Sequence, residues 1–174
     1  MLIEKTFSQQ KTVNTMQTRK THDQSRHQGG QGKQNSGKGK KNNDWNEESA
    51  DSFLKRFFGN DYVSFLLTPH VSDYNDYIDT IKNFIFRTYK NMTSSQLRNV
   101  FSRVKKARDC RELMLLRPKI AYVAGRSESK DLKTMIFLLD RLIENVGDSP
   151  AKMERFQSFF EAVIAYHKYY GGKE

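Results

Sequence analysis

The residues that most often carry chemistry are few in this chain, and their spacing excludes most of it. The four histidines are His22, His27, His70 and His167. No His-x-x-x-His pair and no His-Glu-x-x-His run occurs, which argues against a zinc hydrolase. No arginine precedes a histidine by the four to six residues that small helical ribonucleases use. Gly29-Gly30-Gln31-Gly32 follows no strand pattern, and no Gly-Lys-Ser/Thr is present, so a phosphate loop is not expected. The single cysteine, Cys110, excludes an intrachain disulfide and a cysteine-based zinc site. Its neighbours Arg108 and Arg111 would acidify its thiol somewhat if it were accessible, and an inert half-buried cysteine is the alternative. His167 admits two readings as well. It is either a donor or base near a substrate, or a hydrogen-bonded residue within an aromatic helix, and for the first it lacks a partner. The sequence therefore predicts no catalytic residue, no metal site and no cofactor.

Cations give a stronger signal. Arg98, Ser102, Lys105 and Lys106 recur every three to four residues away from Leu97, Phe101 and Val104. Further on, Lys119, Tyr122 and Arg126 fall on one helical face, with Arg117 just before Pro118. Two helices adjacent in sequence thus present basic stripes. Such stripes can follow a phosphate backbone without reading bases. A plain solvated face is the alternative reading. The pI near 9.7 and net charge of +10 are consistent with a polyanionic partner.

The elements that must position these residues read as helices. Asp73 or Ser72 opens a helix with Tyr74, Tyr77, Ile78, Ile81, Phe84, Ile85 and Tyr89 at helical spacing. Thr93 or Ser94 caps the next, whose buried stripe is Leu97, Val100, Phe101 and Val104. In the segment from Leu113 to Arg126, Pro118 marks the first turn of a new helix, with Ile120, Val123 and Ala124 inward. Leu132 to Val146 forms another, stopped by Gly147. Asp148-Ser149-Pro150 opens the last, which buries Met153, Phe156, Phe160, Val163, Ile164 and His167 and is closed by Gly171-Gly172. No alternating run or hairpin turn competes. The expected fold is all-α, a compact bundle of about five antiparallel helices over residues 72–174.

Two segments precede this core. Residues 1–45 hold nine lysines and arginines against three acids, with few apolar groups and a low-complexity run from Gly29 to Lys41. This predicts a disordered basic tail. Its role is either a solubilising arm or a mobile cationic arm for nucleic acid. Residues 46–71 read as an N-terminal extension. Asp51 or Ser52 would cap a short helix with Phe53, Leu54, Phe57 and Phe58, followed by an apolar patch from Tyr62 to Leu67 without clear periodicity. The start of the chain carries no apolar h-region and no run approaches the ~18 residues a spanning helix needs, so a soluble cytoplasmic protein without membrane contact is expected.

Three segments resemble, in order, the small subunit of type III-A CRISPR–Cas (Csm) complexes: Thr93-Ser94-Ser95-Gln96-Leu97-Arg98-Asn99-Val100-Phe101, Leu116-Arg117-Pro118-Lys119-Ile120-Ala121-Tyr122-Val123-Ala124-Gly125-Arg126, and the aromatic ending from Glu161 to Gly172. The resemblance implies an all-α bundle without catalytic activity. It implies several copies assembled beside repeat-binding backbone subunits that carry CRISPR RNA, together with a large polymerase-like subunit. Copies of the small subunit would contact target RNA or the guide–target duplex through its backbone, since base pairing does the reading. Carried over by position, the RNA-facing residues are Arg98, Arg117, Lys119 and Arg126, and helical geometry adds Lys105 and Lys106. The resemblance does not cover the roughly 70 residues before the core. A competing reading is a helical DNA-binding regulator using residues 93–126 as a helix-turn-helix, although the stretch from Cys110 to Arg117 is long for its tight turn.

Overall fold

The computed structural model describes residues 45–68 and 73–171. The basic tail over residues 1–44, His70 and the second glycine of the closing pair, Gly172, lie outside these. Among the described residues the chain contains helices and no β-strand. They are α1 (Glu47–Phe58), α2 (Tyr62–Leu67), α3 (Tyr74–Thr88), α4 (Ser94–Lys106), α5 (Cys110–Met114), α6 (Arg117–Gly125), α7 (Lys130–Val146) and α8 (Pro150–Tyr169), with a 3-10 turn at Tyr89–Asn91 between α3 and α4.

Local chemistry sets most of the helix starts. Thr93, Ser129 and Ser149 each accept a backbone N–H in the first turn of α4, α7 and α8, at 3.3, 3.1 and 3.4 Å. Pro118 and Pro150 stand in the first turns of α6 and α8, where no N–H is needed. The start of α1 differs from expectation. Asn46, not Asp51 or Ser52, caps it in a reciprocal box with Ser49: Ser49 N–H donates to Asn46 Oδ1 at 2.7 Å, and Asn46 N–H to Ser49 Oγ at 3.4 Å. Glu47 and Glu48 then sit in the first turn and Lys55 and Arg56 in the last, which suits the helix dipole. Gly59, at φ 91°, ends the helix in a conformation that side-chain-bearing residues rarely adopt.

α7 is the axis of the core. Ten of its residues are buried, including Leu132, Phe137 and Leu138 on different faces, and a helix that is apolar on most sides must be surrounded. α6, α8, α2, α1 and α5 pack around it, and α3 and α4 pack on α8. The extension belongs to the same apolar cluster: Leu54, Leu66 and Leu67 are as buried as Leu139 or Phe160. Phe84 of α3 packs against Phe58, Phe57 and Phe53 of α1, with centroids 4.9, 5.4 and 6.2 Å away. The Trp45 indole N–H donates to Thr134 Oγ1 at 3.1 Å and its ring meets Phe137 edge-on at 6.4 Å. Trp45, the first described residue, is thus already tied to α7.

Two buried tyrosines join α2 to its neighbours. Tyr62 donates to Asp51 Oδ1 at 3.0 Å, and Tyr77 to the Leu66 carbonyl at 3.3 Å. Burial, and for Tyr62 also the Asp51 carboxylate, pushes each hydroxyl up to about 12. Their folded-state pKa lies above the unfolded value of about 10. The stability they contribute is thus complete below pH ~10 and lost as pH rises towards ~12. We expect the melting temperature to fall steeply over that window. Tyr77→Phe should flatten the fall, as measured by thermal unfolding followed by circular dichroism.

Candidate nucleic-acid interface

α4 buries Leu97, Val100 and Val104 and leaves two polar edges on either side of that stripe. Along the edge towards α6 stand Gln96, Asn99, Arg103 and Lys106. Across from them α6 presents Pro118, Lys119, Tyr122, Val123 and Arg126. Between the two helices lies an open hollow of about 730 Å³. A second hollow of about 290 Å³ shares Arg103 and Lys119 with the first and extends to Lys106 and the exposed Leu115. Four cations, Lys106, Arg103, Lys119 and Arg126, thus line one continuous groove.

No carboxylate lines the larger hollow among the described residues. Glu112 reaches the smaller one, but Arg108 holds it through its side chain and its backbone N–H, at 2.9 Å each, and lowers its pKa. Among the described residues Arg103, Lys119 and Arg126 make no ion pair. Two of them are braced by residues one turn away. Arg103 Nε donates to Asn99 Oδ1 at 3.0 Å. Arg126 donates to the Tyr122 hydroxyl at 3.4 Å and lies 5.6 Å from the centre of its ring. Both spacings are i,i+4, where helical side chains meet.

Of the cations singled out from sequence, Lys106, Lys119 and Arg126 come together here. Arg117 does not join them. Its guanidinium makes a paired contact with Asp140 of α7 at 2.8 and 2.9 Å, with Glu144 3.5 Å away, and the Asp140 bond raises its pKa. It clamps α6 to α7. Lys105 turns to α8, 3.5 Å from Glu161. Arg98 also lies on that edge, near Ile164 and Lys168, and donates to the Ser94 carbonyl at 3.3 Å. The basic stripe of α4 is therefore split between two sides of the helix. Arg103 is an addition that the basic stripes do not include, although Gln96, Asn99, Arg103 and Lys106 repeat every three to four residues.

His167 takes the hydrogen-bonded role. It is buried, with Nε2 3.1 Å from the Met92 carbonyl and Nδ1 3.4 Å from Ser94 Oγ. A carbonyl only accepts, so Nε2 carries the proton and Nδ1 accepts from the serine. The ring pins α8 to the turn before α4. Cys110 is buried at the start of α5. Among the described residues no group of three or more His, Cys, Asp or Glu could hold a metal ion, and no helix is long and apolar enough to cross a membrane. α5 stands between α4 and α6, so this pair is not joined by the tight turn of a helix-turn-helix.

Comparison with known proteins adds one finding. The model of the family described as Csm2 Type III-A matches residues 70–173, which include α3 to α8 and both walls of the groove. No curated protein and no solved structure matches the chain.

Proposed function

The chain belongs to the Csm2 Type III-A family, and so to the small subunits of type III-A Csm complexes; from that premise we propose that it is a non-catalytic cytoplasmic subunit that holds RNA by its phosphates in the groove between α4 and α6. The observation that carries this reading is the groove itself. Lys106, Arg103, Lys119 and Arg126 line it together, and Glu112, the one acid that reaches it among the described residues, is held by Arg108. Cations so placed attract a phosphate backbone whatever its sequence. That suits a subunit of a guided complex, in which pairing with CRISPR RNA selects the target RNA. Its partners in this reading are the large polymerase-like subunit, the repeat-binding backbone subunits and further copies of itself. The engagement of His167 supports a structural role: it is buried and both its ring nitrogens are occupied in joining α8 to the start of α4.

The test replaces Lys119 and Arg126 with alanine in assembled complexes. Target-RNA association should weaken several-fold while the melting temperature stays within a degree or two. Unchanged association would remove the groove from the RNA path.

A further inference from the structure

We infer that the groove accepts an unpaired nucleotide, with its base stacked on Tyr122 and its flanking phosphates on Arg103, Lys119 and Arg126. This rests on the groove being an RNA site and adds what it recognises there. Phosphate binding alone calls only for cations, yet the larger hollow is also furnished for a base. Tyr122 projects from α6 with 64% of its surface exposed, and Pro118 and Val123 on the same helix give the hollow an apolar flank. A lone exposed tyrosine would mean little. This one stands among three cations and faces two carboxamides across the hollow.

Those carboxamides have a defined polarity. The Gln96 oxygen accepts from the Thr93 hydroxyl at 2.7 Å, and the Asn99 oxygen accepts from Arg103 Nε at 3.0 Å. The oxygens are thus engaged within α4, and each NH₂ group remains as a donor. Donors suit the carbonyl oxygens and ring nitrogens on the edges of bases. An aromatic face, hydrogen-bond donors for a base edge and cations for phosphate are the set with which proteins hold splayed, single-stranded RNA. A base paired within an A-form duplex presents neither its face nor its pairing edge. The surface is also placed for this. The hollow is open to solvent rather than enclosed, so a nucleotide can enter it from the surface.

The experiment measures fluorescence anisotropy of the full chain at low salt with three labelled probes of equal length: single-stranded RNA, an RNA duplex, and an abasic strand with the same phosphates. Tyr122→Ala should weaken single-stranded binding about ten-fold and duplex or abasic binding less than two-fold, because stacking depends on the ring. Tyr122→Phe should retain the affinity. A 2-aminopurine in the single strand should be quenched by the native protein and less so by Tyr122→Ala. If Tyr122→Ala shifts all three probes equally, or none, while Arg103→Ala with Lys119→Ala weakens all three, the phosphate groove stands and the stacking site is overturned. If the double cation variant changes nothing, the groove reading fails with it.

Discussion

Phe84→Ala is expected to destabilise the protein by about 3–5 kcal/mol, the loss typical of removing a fully buried phenylalanine. Phe84 is 1% exposed and its ring touches three phenylalanines of α1. Truncation removes these ring neighbours' partner and leaves a void that α1 and α3 cannot close without separating the other rings. Small domains hold only about 5–15 kcal/mol in total, so the change takes up a large share. The measurement is urea unfolding followed by circular dichroism, with Phe84→Leu as the milder, apolar control, expected to cost under about 1.5 kcal/mol. The experiment also decides how α1 relates to the bundle. If α1 folds as one unit with α3 and α7, the midpoint falls sharply and the transition stays single. A loss below about 1 kcal/mol, or a separate early transition, would mean that α1 is an appendage whose packing on Phe84 contributes little to the whole.

How well the sequence foretells each element follows from how local its determinants are. α4, α7 and α8 are legible because a serine or threonine cap, a helical apolar repeat and, for α8, a first-turn proline all agree within a few residues. The apolar repeat places the start of α1 too late, because that repeat begins only at Phe53, whereas the cap depends on Asn46 and Ser49 satisfying each other. Neither α2 nor α5 is foreseen as a helix. With six and five residues they are too short to show a period, and burial, of α2 against α7 and α8 and of α5 against α7, holds them rather than propensity. The candidate site divides in the same way. Lys119, Tyr122 and Arg126 share a face by spacing alone, and they do line the groove. The clamp on Arg117 comes from Asp140, 23 residues away on another helix, and no local pattern announces it. Which edge of α4 faces α6 likewise depends on tertiary packing, so helical spacing cannot separate Arg98 and Lys105 from Lys106.

That separation yields the second large effect. Arg103→Ala, Lys119→Ala and Arg126→Ala combined should lower the slope of log affinity against log salt by about three, one for each phosphate no longer neutralised. The weakening should be the same for scrambled RNA sequences, because phosphate contacts carry no base information. Removing Arg98 and Lys105 together is the matched contrast. Those residues stand on the α8 edge, with Lys105 beside Glu161, so the slope should change little. Arg117→Ala should act differently again. It leaves Asp140 and Glu144 without this cation and loosens α6 from α7, so it should lower the melting temperature while leaving the salt slope intact. The three variants remove positive charge from three kinds of place, and general electrostatics would treat them alike in proportion to charge. A slope that falls equally per charge in all three sets would show that the protein attracts RNA only as a diffuse cation. A fall confined to the groove set would assign the phosphate path to the cleft between α4 and α6. The result is read from anisotropy titrations at several salt concentrations, with circular dichroism confirming that the groove variants keep their helices.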